Sequence, residues 1–94
     1  DELIKKYPDN SEYRHLKGRN LINLNLFDSA IHHFIIINKN DKYYKLHYMD
    51  LAICLFMKKE YNECDDVIDK IIKSDKQNED AWYLKYKLNK KKEN

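Results

Sequence analysis

The chain is 94 residues long, enough for one small domain at most, and its 43% apolar content sets it apart from disordered chains. Eighteen basic and 16 acidic residues leave a net charge of +2, too balanced for a nucleic-acid or acidic-membrane surface. One Gly and one Pro are too few punctuators for many short strands, and no apolar run approaches the ~18 residues of a membrane span.

Long helices with tight connections are therefore expected. Residues 1–8 should be the tail of a preceding helix, closed by Pro8. A first full helix is expected near 11–24, with a stripe of Tyr13, Leu16, Leu21 and Leu24. A second follows near 26–39, carrying Phe27, Ala30, Ile31, Phe34 and Ile37. The third, near 42–58, places Tyr48, Leu51, Ala52, Leu55 and Phe56 on one face. After the polar break Lys58-Lys59-Glu60, a fourth near 60–74 restarts the stripe at Tyr61, Cys64, Ile68, Ile71 and Ile72. A fifth is expected near 79–91. Ser11, Asn25, Asp41 and Asn78 are good N-cap types at four of these starts.

Shifting the sequence by the step that separates Gly18 from Ala52 brings like onto like. At that step Leu21 meets Leu55, Phe27 meets Tyr61, Ala30 meets Cys64, and Phe34 meets Ile68. Leu3, Ile37 and Ile71 form a triple, and Tyr48 lands on Trp82. Composition alone would not sort residues by size in this way. The period and the order of small and large slots resemble the tetratricopeptide repeat family, whose repeat is about 34 residues long. Arg14 and Lys17 depart from that pattern in the first helix, and Lys85, Tyr86 and Asn89 in the last.

The resemblance implies an all-α fold: a right-handed superhelical stack of antiparallel helix pairs, with about two full repeats and a C-terminal capping helix. Residues 1–94 would be a single domain, with repeat 1 at 11–44, repeat 2 at 45–78, and a cap with a frayed basic tail at 79–94. Small residues should lie where helices cross closely, and large ones should fill the space between units.

Chemistry is sparse. Asp28 and His32 have metal-ligand spacing on one helix face, but two such residues are commonplace on a polar face. Cys54 and Cys64 match no zinc or redox spacing and are expected as small buried residues. There is no Gly-rich phosphate loop and no nucleophile elbow. The acidic run Glu63, Asp65, Asp66 and Asp69 is expected to be a solvated outer face, and Lys90-Lys91-Lys92 a solubilising tail. No catalytic residue, metal or cofactor is expected, and no compartment is indicated.

In the tetratricopeptide family the first helix of each pair lines a concave groove. The matching residues are Glu12, His15, Arg19 and Asn23, then Leu46, Met49, Ile53, Phe56 and Met57, then Asp80, Tyr83 and Lys87. The stretch from Tyr43 to Met57 is apolar nearly all round, which leaves Leu46, Met49 and Ile53 toward the groove. A family version that grips a C-terminal carboxylate uses slots held here by His15, Arg19, Asp50, Asp80 and Leu84, and the two Asp exclude that ligand. The expected function is protein–protein interaction. The partner would be a protein segment with apolar anchors and an acidic residue near Arg19 or Lys87. The alternative is a structural or self-associating segment of a longer helical solenoid, whose groove is filled by its own chain or a second copy. Neither nucleic acid nor membrane insertion is expected.

Overall fold

The structure is a computed structural model that describes residues 10–36 and 44–93. The described part is all helical, with no strand among its residues. The helices are α1 (Ser11–Asn23), α2 (Phe27–Ile36), α3 (Tyr44–Met57), α4 (Tyr61–Ser74) and α5 (Glu79–Glu93). The expected tail at 1–8, the cap at Asp41, and Leu3 and Ile37 lie outside the described residues, as do the side chains at 11 and 44–46.

Two of the connections are the same turn. At the end of α1, Leu26 N–H donates to Leu21 O at 2.8 Å and Asn25 N–H to Ile22 O at 2.9 Å. At the end of α3, Glu60 N–H donates to Leu55 O at 2.9 Å and Lys59 N–H to Phe56 O at 3.0 Å. Each is a Schellman closure, which satisfies the last helical carbonyls by putting one residue in the left-handed region. Those residues are Asn25 at φ 61° and Lys59 at φ 65°, separated by the same step as Gly18 and Ala52. Asn25 thus ends α1 rather than starting α2. Asn suits both roles, and the carbonyls left over at the end of α1 decide between them.

The helix starts also recur. Asn10 Oδ1 accepts from Tyr13 N–H at 3.1 Å, and Asn78 Oδ1 accepts from Ala81 N–H at 3.0 Å. The cap of α1 is therefore Asn10, one residue before the expected Ser11. α5 runs to Glu93, so the Lys90–Lys92 stretch is helical rather than frayed.

Neighbouring helices are antiparallel. Phe56 lies beside Tyr61 and Ala52 beside Cys64 across α3 and α4. Phe34 meets His47 and Asp28 meets Lys58 across α2 and α3. Asp69 meets Lys85 and Asp65 meets Lys92 across α4 and α5. α1 also touches α3, and α3 touches α5, so α3 contacts all four other helices. Its apolar character nearly all round follows from that central position.

The core has two parts. Leu21, Ala30, Phe34 and Cys54 form one; Ala52, Leu55, Cys64, Ile68, Leu84 and Leu88 form the other. Ile31 and Leu51 pack against both and join them. In α1 the buried face is His15, Gly18 and Leu21; of the expected stripe Leu21 is buried and Tyr13 half-buried, while Leu16 and Leu24 are 52% and 67% exposed. The cause is a close crossing at Gly18, where a β-carbon would lie 2.6 Å from Phe34 Cζ. That crossing fixes the rotation of α1, so positions three residues either side of Gly18 turn inward.

Arg14 and Lys85, two of the polar residues in the apolar slots, have partners. Arg14 Nη1 lies 3.1 Å from His33 Nδ1. Lys85 Nζ donates to Asp65 at 2.5 Å and to Asp69 at 2.9 Å, and Lys92 reaches Asp65 at 3.0 Å. The acidic run of α4 is therefore divided: Asp65 and Asp69 pin α5, while Glu63 and Asp66 remain exposed.

Candidate functional site

Four residues of α5 meet three of α3 around a pocket of ≈ 320 Å³. Met49 and Ile53, both half-buried, and the buried Leu84 make its apolar floor. Tyr83 and Lys87 stand exposed at its rim, and Asp50 and Asp80 supply two carboxylates. The lining residues of the two helices correspond at three positions, Met49 with Tyr83, Asp50 with Leu84 and Ile53 with Lys87. Asp80, Tyr83, Leu84 and Lys87 stand one repeat step after Leu46, Met49, Asp50 and Ile53. Both sets follow helical spacing, so each shares one face of its helix.

Of the groove residues expected from the sequence, Met49, Ile53, Asp80, Tyr83 and Lys87 come together here. Phe56 joins them indirectly: Lys87 Nζ lies 5.3 Å from the Phe56 ring centroid and 5.2 Å from that of Tyr83. Such distances allow a cation–π attraction to both rings. Met57 is exposed at the end of α3, and Glu12, Arg19 and Asn23 are exposed on α1. The side chain of Leu46 lies outside the described residues. His15 is only 7% exposed, and its ring centroid lies 6.1 Å from that of Phe34. It is a core residue, although it shares the repeat step with Met49 and Tyr83.

Asp50 and Leu84 were legible only as slots unsuited to a carboxylate ligand, yet both line the pocket. The signal for them is adjacency. Residues next to Met49 and Tyr83 on a helix lie about 100° round the axis, within a pocket-facing arc.

The electrostatics are uneven along the pocket. Asp50 Oδ2 lies 3.7 Å from His15 Nε2. Burial pushes the Asp50 carboxyl above the usual range, while His15 and Arg19 pull it down. Asp80 is exposed in the first turn of α5, and among the described residues no cation pairs with it. Because α3 and α5 both run antiparallel to α4, they are parallel to each other. Asp80 therefore lies at the end of the cleft set by the first turn of α5, Asp50 midway along α3, and Lys87 about two turns beyond Asp80 on α5.

The remaining reactive groups are inward. Cys54 and Cys64 are free and fully buried, and Cys64 Sγ donates to Ala52 O at 3.3 Å. Burial pushes the two thiols up to about 12 and about 11, respectively. Thiolates are the reactive species, so both groups are inert in the folded protein at neutral pH. Among the described residues no group of three or more His, Cys, Asp or Glu side chains gathers as a metal site would require. No described helix is long and apolar enough to cross a membrane.

The fold and pocket define an all-helical protein with an open, partly apolar cleft between two parallel helices. No family model, no curated protein and no solved structure matches the chain. Its likeness to the tetratricopeptide repeats rests on the sequence pattern quoted above.

Proposed function

We propose that this chain is a helical-repeat interaction module of the tetratricopeptide type, a right-handed stack of helix pairs that takes a segment of a partner protein between α3 and α5. The observation that carries the reading is the pocket itself: Tyr83, Leu84 and Lys87 of its α5 wall stand one step on from Met49, Asp50 and Ile53 of its α3 wall. The paired Schellman turns at Asn25 and Lys59 and the matching Asn10 and Asn78 caps support the same register. In this reading the protein binds rather than catalyses. Apolar anchors at Met49, Ile53 and Tyr83 supply most of the affinity, and the charges around them set orientation and on-rate.

The test is selection from a random peptide library displayed on phage. Selected peptides should carry apolar anchors. They should lose at least ~2 kcal/mol of binding on Ile53→Asp, because a charge would enter the centre of a dry contact. Ile53 also packs against the core, so Tyr83→Ala provides a second readout at a residue 63% exposed. Asp66→Ala, on the exposed face of α4, should leave binding unchanged. Peptides indifferent to Tyr83→Ala but weakened by Asp66→Ala would place the binding surface on α4 instead.

A further inference from the structure

The sequence suggests an acidic residue in the ligand, but the pocket holds two carboxylates, Asp50 and Asp80, against one ammonium, Lys87. Lys87 sits over the Phe56 and Tyr83 rings, so its charge is already directed to two π faces. Asp80 has no cationic partner among the described residues. An acid in the first turn of a helix is ordinarily explained by the helix dipole. That explanation does not reach Asp50, which lies mid-helix in α3, is half-buried, and faces the same pocket. His15 and Arg19 both attract Asp50, yet burial still outweighs them. Its carboxylate is only partly compensated, and a further cation beside it would favour its charged form. Met49, Ile53 and Leu84 supply the apolar lining beside them.

We propose that this pocket seats one Lys or Arg side chain of the partner segment, with its aliphatic stem on Met49 and Leu84 and its cationic head between Asp50 and Asp80. Long basic side chains are suited to such a seat, because the stem buries on apolar surface while the head stays at a charged, hydrated rim. An apolar residue beside it occupies the floor at Ile53 and the Tyr83 ring. The proposal rests on the groove reading above and adds the chemistry and direction of its ligand.

The same displayed library distinguishes the two. On the unmodified protein, selected peptides should be enriched in Lys or Arg next to an apolar residue. Asp80→Asn should weaken a selected peptide by about 5- to 10-fold, as expected for a charge contact at a partly desolvated rim, and remove the basic preference from a fresh selection. Asp80→Lys should turn the preference toward Asp and Glu. Peptides that depend on Tyr83 but show no basic excess, or that bind Asp80→Asn undiminished, would overturn the seat and leave the groove intact. Peptides indifferent to Tyr83→Ala, or a library that yields no binder, would overturn both.

Discussion

The α1–α2 and α3–α4 hairpins close with the same turn, one repeat step apart, but they solve their close crossing differently. In the first, Gly18 gives up its side chain to admit the Phe34 ring, which is fully buried with His15 and His47 rings at 6.1 and 6.2 Å. In the second, Ala52 takes the place of Gly18, Cys64 faces it closely enough to donate to its carbonyl, and Ile68 replaces Phe34. The lesson is that slot size is kept as a sum across the crossing rather than residue by residue. A smaller residue on one helix accompanies a larger one on its neighbour.

Exchanging the small residues should break this match. Gly18→Ala gains about 1 kcal/mol of helix propensity. The new methyl would meet a buried ring held between two others, so overpacking should reach the upper end of its usual ~1–3 kcal/mol range and win. The expected net loss is about 2 kcal/mol by denaturant melting. Ala52→Gly should lose about 1 kcal/mol, since it opens the second crossing and weakens α3. Adding Phe34→Ile to Gly18→Ala recreates the second pairing in the first hairpin. The double-mutant cycle should then show at least ~1 kcal/mol of favourable coupling, whereas simple additivity would refute the matched-volume account.

The turns differ less. Asn25 is at ease in the left-handed region, whereas Lys59 carries a Cβ penalty there. Lys59→Gly should raise stability by about 0.5–1 kcal/mol, and Asn25→Gly should raise it less, as read from thermal melts. An equal response at both sites would contradict that ranking.

The smallest expected difference is in acid. His33 in α2 is held below its ordinary value by burial and then by Arg14, so the fold favours its neutral ring. Its contribution is complete above the ordinary histidine pKa of ~6.5 and is lost as pH falls through that value toward the lowered one. Asp65 in α4 is held low chiefly by the Lys85 hydrogen bond, so its contribution is complete above ~3.9 and is lost only below that. Both groups remain partly exposed to solvent, so each effect should stay under ~1 kcal/mol. Amide exchange should therefore show α1–α2 loosening as pH falls below about 6.5 and α4–α5 only below about 4.

Much of this architecture is legible in the sequence because helix period and slot size act locally. The five helices fall within a few residues of their expected bounds wherever they are described. The buried pairs Ala30 with Phe34 and Cys64 with Ile68 follow from spacing. What could not be read depends on tertiary contact. The rotation of α1, which buries His15 and exposes Leu16, is set by Phe34, a partner on the next helix. The division of the α4 acids depends on Lys85 and Lys92, which lie on another helix. In the site, the shared step brought out Met49 with Tyr83 and Ile53 with Lys87. Asp50 and Asp80 were legible as slots that exclude a carboxylate, but that they line one pocket shows only once α3 and α5 lie side by side.

The most direct test of the proposed site is amide chemical-shift mapping of the ¹⁵N-labelled protein with a library-selected peptide. The account predicts shifts concentrated at Met49, Asp50 and Ile53 of α3 and at Asp80, Tyr83, Leu84 and Lys87 of α5, with Glu63, Asp66 and Lys70 on the exposed face of α4 unmoved. Shifts concentrated on that face of α4, with the α3–α5 pocket silent, would contradict it.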